Sequence, residues 1–301
     1  MYSGFWYNLK NAFTHKNNGL YKILAINILL YFIFMVARVF LSLGGAADLY
    51  REMLSYLMMP ASVTYFLSQP WTLFTYMFLH EGFFHILFNM LFLYWFGLLI
   101  NEYLGSRKLV NLYILGGLSG GLFYLLIYNL APLFADQVDT ALMLGASAGV
   151  YAIVVGAATL SPNTAFHLIL LGPVKIKYIA IFYVLVAFAN SSGANAGGEL
   201  AHLGGAALGF LYIRQLQDGR DLGLPVQWVG RLFENLSARK PKVKVTYRKT
   251  ASDNYRSAEP SRHVNVSTQE EIDKILDKIA EKGYDNLTKE EKRKLFDFSN
   301  K

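Results

Sequence analysis

Cysteine is absent from the 301 residues. That excludes disulfides, thiolate catalysis and cysteine-based metal sites. Charge is scarce too: 16% of the residues are Asp, Glu, Lys or Arg, against about a quarter in soluble domains. The N-terminus, MYSGFWYNLKNAFTHKNNG, lacks the basic start, apolar core and small-residue cleavage site of a signal peptide. Phe5, Trp6, Tyr7 and Phe13 with Lys10 and Lys16 suit a helix lying on a membrane surface, and an ordered cap on a helical bundle accommodates them equally.

What the chain has is apolar surface, with 54% hydrophobic residues and a mean hydropathy of +0.30. Most of it lies in residues 20–215, and much of the charge follows in 216–301. This division predicts a membrane domain and a soluble tail. A spanning helix needs about 20 mostly apolar residues. Six stretches qualify, near 23–43, 83–101, 108–130, 142–160, 177–190 and 200–217. Part of 165–177 either extends the short fifth stretch or lies at the interface. The predicted fold is all-α, a polytopic six-span bundle, because only helices satisfy their own backbone hydrogen bonds in lipid.

Orientation follows from the basic residues. Lys10, Lys16 and Lys22 precede span one, Arg107 and Lys108 separate spans two and three, Lys175 and Lys177 separate four and five, and Arg214 and Arg220 follow six. The alternate connections 131–140 and 190–199 carry no Lys or Arg, and the long 44–82 segment carries only Arg51. Arg38 near the outer end of span one can snorkel to water. Both termini are therefore expected in the cytoplasm, and a bacterial inner membrane is the expected location. The net charge of +7 is accounted for by this flanking pattern, so the expected partner is the lipid bilayer and not nucleic acid.

The 44–82 segment is aromatic but broken by Pro60 and Pro70, and is expected partly embedded at the outer face. Residues 1–19 form an N-terminal interfacial segment and 20–217 the membrane domain. Residues 218–265 read as a polar, basic linker with little fixed structure, and 266–301 as a small helical cytoplasmic segment. In it, Ser267 with Glu270 or Thr268 with Glu271 can cap a helix through Lys282 whose Ile272, Leu276 and Ile279 share a face, stopped by Gly283. Thr288 and Glu291 can cap a second helix carrying Leu295 and Phe296. Such short helices are marginal alone, which leaves a cytoplasmic partner for the tail open.

Polar and ionisable residues inside spans are functional candidates because burying them is costly. Span two opens with His80, His85 and Asn89, span four with Ser147 and span six with His202. His85 and Asn89 share a helix face. Spans two, four and six all run inward, so His85, Ser147 and His202 fall in one layer below the outer surface. Gly145 and Gly149 bracket Ser147, and Gly205 and Gly209 follow His202, in G-x-x-x-G pairs that allow close helix approach. A serine hydroxyl needs a base within hydrogen-bond reach, and Tyr151, one turn below Ser147, is placed to hold the His202 ring. Each feature alone has a plainer reading: such glycines usually mark packing, and a serine in a span usually bonds to its own helix. Ser119, set among glycines near mid-span, is assigned to packing because no partner is expected at its depth.

Taken together, the set resembles the rhomboid family. The matching pieces are H-x4-H-x3-N at His80, His85 and Asn89, G-x-S-x-G from Gly145 to Gly149, Tyr151, A-H-x-x-G-x-x-x-G from Ala201 to Gly209, and Glu102 with Gly105. The resemblance covers about residues 20–217. It implies a rhomboid-like membrane protease domain that cleaves transmembrane protein substrates in or near their membrane helix. It further implies a Ser–His dyad of Ser147 and His202 with no aspartate, and an oxyanion site from His85, Asn89 and the Ser147 N–H. Two departures stand out: Trp71-Thr72 replaces a common Trp-Arg, and Ala148 displaces a glycine of the serine motif by one position. No cofactor or metal is expected, since no carboxylate joins the histidines at ligand spacing. An inactive rhomboid-like protein that binds membrane clients and a small transporter are the alternatives. The first typically lacks the serine or the histidine, and the second requires polar residues at several depths.

Overall fold

The computed structural model describes residues 4–15, 17–168, 172–237, 266–282 and 287–299. The chain divides into two compact units, Met1–Lys240 and Pro241–Lys301. The fold is mostly helical. It departs from the all-α expectation in two small antiparallel ladders, each tied to a loop.

The larger unit begins with a short helix α1 (Phe5–Lys10) and a long apolar helix α2 (Gly19–Leu43). Phe5 packs edge-on against Tyr94, with ring centroids 5.1 Å apart, while Trp6, Tyr7 and Phe13 are exposed. The N-terminal segment therefore has both a packed and an outward apolar side; Lys16 lies outside the described residues. Helix α2 buries Leu20, Ile23, Leu24 and Asn27 and exposes Phe32, Ile33, Val36, Val39 and Phe40. A continuous exposed apolar face of this kind suits lipid and not water.

The 44–82 segment folds into helices α3 (Ala47–Ser55), α4 (Val63–Ser68) and α5 (Thr72–Thr75), with strand β1 (Met59–Pro60) between the first two. Strand β1 pairs antiparallel with β2 (Leu142–Met143). The Trp71 indole N–H donates to the Tyr56 carbonyl at 2.8 Å, and the Thr75 hydroxyl to the Leu57 carbonyl at 2.7 Å. Thr72, at the position of the common arginine, is fully buried and donates to the Gln69 carbonyl at 2.7 Å. A buried hydroxyl thus closes this turn.

The second and third predicted spans form one helical run, α6 (Phe83–Leu130), broken at Gly105, which leaves helical geometry at φ 78° and ψ 166°. Only glycine adopts such a left-handed φ without strain. The fourth span is shorter than predicted: 142–146 is strand and turn, and α7 runs from Ser147 to Leu160. Gly145, at φ 142°, makes that turn. The 165–177 stretch is not a helical extension but a hairpin of β3 (Ala165–Leu168) and β4 (Gly172–Lys175). Helices α8 (Ile176–Asn190) and α9 (Ala196–Gln217) follow. Among the described residues, two helices are long and apolar enough to cross a membrane by length and composition, α2 and α6; α7 and α8 are apolar but shorter.

The core forms where α6, α7 and α9 meet. A Cβ at Gly205 would run into the Ala148 carbonyl, one at Gly209 into that of Ala152, and one at Gly149 would stand 2.8 Å from the Tyr113 carbonyl. Ser119 donates to the Gly204 carbonyl at 3.0 Å. Backbones packed this closely draw stability from dispersion.

The region read as a linker differs in its first half. Residues 224–237 form an amphipathic helix, α10 (Leu224–Ser237); residues 238–265 lie outside the described residues. Asp221 ties the turn before α10 to the bundle. It accepts from Lys108 Nζ, from the Tyr212 hydroxyl at 3.2 Å, from the Gly223 N–H at 2.9 Å and from Gln227 at 3.0 Å. Burial opposes its ionisation, but the Lys108 and Gly223 hydrogen bonds outweigh that and hold its carboxyl below the usual carboxylate range.

Among the described residues the smaller unit has two helices, α11 (Val266–Lys282) and α12 (Lys289–Ser299). Helix α11 starts before both proposed caps, so Ser267 and Thr268 sit inside it. Its buried residues are Ile272 and Ile275, joined by Leu287, while Leu276 is exposed. The spacing 272, 275, 279 and not 272, 276, 279 faces the partner helix. Thr288 and Glu291 form a reciprocal cap, with Thr288 N–H to Glu291 at 2.7 Å and Glu291 N–H to Thr288 Oγ1 at 3.3 Å. Gly283 lies outside the described residues.

Candidate active site

Three helix ends converge on one polar pocket. Ser147 is the first residue of α7, following the Gly145 turn. That turn is held from two sides: β2 pairs with β1 just before it, and the Gly145 N–H donates to the Tyr76 carbonyl at 3.0 Å. A Cβ at Gly145 would stand 3.1 Å from His85 Nε2, so the glycine also makes room for that imidazole. His202 lies in the second turn of α9. The close approach of α7 and α9 at Gly205 and Gly209 brings its Nε2 to 2.7 Å from Ser147 Oγ, across 55 residues of sequence.

The His202 ring is held on its other sides as well. Tyr151, one turn down α7, stacks on it at 4.2 Å between centroids and 8° between planes. The Tyr151 hydroxyl points to the Tyr183 carbonyl of α8 at 3.5 Å. His202 Nδ1 lies 3.0 Å from Glu199 Oε2. Glu199 was missed in the sequence as a partner of His202. Its position three residues before His202 was the available signal, since such residues share a helix face.

His85 and Asn89 reach the same pocket from α6. Both line a cavity of about 970 Å³ together with Ser147, Tyr151, Tyr183 and His202. Asn89 is buried and commits one amide hydrogen to the His85 carbonyl at 2.9 Å, leaving its second for the cavity. His80 is set back. Its ring meets His85 edge-on at 5.2 Å, and neither of its nitrogens has a hydrogen-bond partner among the described residues. It supports the His85 ring instead of entering the pocket. No group of three or more His, Asp or Glu side chains in metal-binding array occurs among the described residues.

The arrangement is competent for acyl transfer. A hydroxyl is bonded to an imidazole, the imidazole is oriented by a third group, and donors border the space beside the hydroxyl. Ser147 occupies the first helical position, where the backbone N–H has no carbonyl partner within its own helix.

Comparison with known proteins gives the family. The rhomboid domain family matches residues 67–217, and a family of unknown function (DUF6576) matches residues 263–301. The chain is 31% identical over 159 residues to RHOMBOID-like protein 12, mitochondrial, of Arabidopsis thaliana, covering 50% of this chain and 47% of that protein. It is 31% identical over 160 residues to Rhomboid-like protein 16, chloroplastic, of the same plant, covering 50% of each. The chain thus spans about half the length of these relatives. Their names carry organelles, which lends no support to the expected bacterial inner membrane. The domain match takes in α6, α7 and α9 with Ser147, His202, His85 and Asn89, and on that match the chain belongs to the rhomboid family of integral membrane proteins.

Proposed function

We propose that this protein is an intramembrane serine endopeptidase, cleaving single-span membrane proteins in or beside their transmembrane helix. The observation that carries the reading is the 2.7 Å contact between His202 Nε2 and Ser147 Oγ at the edge of a large cavity. Ser147 is the nucleophile. His202 takes its proton as Oγ attacks the scissile carbonyl and then returns a proton to the leaving amine. Water enters, His202 activates it, and the acyl-enzyme is hydrolysed. The oxyanion is stabilised by His85, Asn89 and the Ser147 N–H, assisted by the positive end of the α7 dipole.

We assign six membrane crossings, to α2, the two halves of α6, α7, α8 and α9, with both termini on the cytoplasmic side. The alternation of Lys and Arg between connections supports this. Helices α7 and α8 are shorter than about 20 residues, which a locally thinned bilayer or flanking loop residues accommodate. Residues 20–217 are then the protease domain, with transmembrane proteins as substrates and the bilayer as its medium.

The test is purified protein in detergent with a panel of single-span substrates, alongside Ser147→Ala and His202→Ala. Cleavage by wild type alone, with phosphonate labelling of Ser147, is the expected result. A panel cleaved equally by Ser147→Ala, or no labelling of folded wild type, refutes the assignment and favours a client-binding protein.

A further inference from the structure

The reactive imidazole has a carboxylate behind it. We infer that Glu199 is a positioning residue that makes the Ser147–His202 pair the front of a Ser–His–Glu relay; the inference rests on the proposed hydrolase reading. The evidence is geometric. Glu199 Oε2 stands 3.0 Å from His202 Nδ1, on the ring edge opposite the Ser147 contact. Both side chains are largely enclosed, with 14% of His202 and 16% of Glu199 accessible. Glu199 sits in the first turn of α9, and its N–H donates to the Asn195 carbonyl at 3.1 Å.

An ionised carboxylate only accepts hydrogen bonds. Facing Nδ1, it requires a proton on that nitrogen. The neutral ring then has its lone pair on Nε2, aimed at the Ser147 hydroxyl. During attack the Oγ proton moves to Nε2, the Nδ1 proton stays in place, and the resulting imidazolium faces a carboxylate. Without Glu199 the Tyr151 stack still fixes the plane of the ring but not its tautomer. The two contacts are complementary: one sets the plane, the other sets which nitrogen is basic.

Glu199→Gln keeps the length and volume of the side chain but supplies an amide that donates as well as accepts. Glu199→Asp keeps the charge on a shorter stem. Two readouts separate positioning from packing. The first is the His202 tautomer, read by ¹⁵N resonances of histidine-labelled protein in detergent, with His202→Gln to assign the signal. The second is the kcat and KM pair on a single-span substrate. We expect the neutral His202 of wild type to carry its proton on Nδ1, and Glu199→Gln to lose that preference. Its kcat should fall by about 100-fold to 10,000-fold, as expected when the orienting carboxylate of a triad is neutralised, with KM little changed. Glu199→Asp should recover part of both. An unchanged tautomer in folded Glu199→Gln overturns the inference whatever the activity does. A folded wild type with the Nδ1 proton but no phosphonate labelling and no cleavage leaves the positioning role standing and removes the hydrolase reading instead.

Discussion

The ring of Tyr151 lies 8° from parallel to that of His202, with centroids 4.2 Å apart. Offset ring pairs are worth about 0.5–1.5 kcal/mol beyond their buried area. Here that energy restrains rotation of the imidazole about its own side-chain bonds. Tyr151→Phe keeps the ring and gives up a 3.5 Å hydrogen bond, so its kcat should stay within about threefold of wild type. Tyr151→Ala should lower kcat by about tenfold, the upper end of that energy at about 1.4 kcal/mol per tenfold. Equal activity of the alanine and phenylalanine variants would remove the stack from the mechanism.

Removal of the cavity donors should act on the chemical step. Loss of one oxyanion donor typically costs about 10²–10³ in rate. His85→Ala is expected in that range, and Asn89→Ala should be milder because one of its hydrogens is already committed to the His85 carbonyl. Steady-state kinetics on a single-span substrate checks this; full activity in the double variant would exclude an oxyanion role.

The approach of α7 and α9 depends on Gly205, where a Cβ meets the Ala148 carbonyl directly. Backbone is not free to move aside as a side-chain tip is. Gly205→Ala should cost about 1–3 kcal/mol of stability and sharply slow phosphonate labelling of Ser147, because it pushes His202 away. Gly230→Ala in α10 meets nothing within 4 Å and should be neutral or slightly stabilising. Thermal unfolding in detergent separates the two, and equal melting temperatures would contradict the packing argument.

The Asp221 latch makes a pH-dependent prediction. Its carboxyl is held below its ordinary value of 3.8, so its contribution to stability is complete above that pH and is lost as pH falls through the lower folded value. Asp221→Asn should melt earlier than wild type at neutral pH, by an amount on the order of 2 kcal/mol for a hydrogen-bonded charge. The gap should close as pH is lowered below 3.8. A gap that persists at low pH would mean the loss is steric.

In the C-terminal pair, Glu291 bonds Lys278 at 2.8 Å and caps α12 through Thr288. The Lys278 and Thr288 hydrogen bonds bring its carboxyl down to about 2 from 4.5. The cap should therefore hold fully above pH 4.5 and fail as pH falls through about 2. Amide exchange of α12 in the full chain, faster in Glu291→Gln at neutral pH and equal to wild type near pH 2, is the expected signature. Unaltered exchange in the variant would remove the cap.

Much of the layout was readable in one dimension because its signals are local. Apolar runs marked the helices, glycine pairs marked their contact faces, and Ser147, His202, His85 and Asn89 stood out as polar residues where burial is expensive. Local signals also misled. Ile275, not Leu276, faces the partner helix in the tail, because both spacings are permitted on one helix face and only the neighbour chooses. The 142–146 run is apolar enough for a helix, yet Leu142 and Met143 pair with Pro60 and Met59, partners more than eighty residues away that no local pattern announces.

Residue types and their periods marked the long helices, the apolar segments and the polar side chains that are candidates for the site. Tertiary structure alone decided that Ser147 begins its helix and does not lie within it, that Tyr151 stacks flat on His202, that Glu199 stands behind the ring, and that Asp221 anchors the turn after α9. Each of these depends on a distance of 3–4 Å between side chains, or on a backbone pairing across a loop. Sequence specifies such contacts only through the packing of the whole bundle.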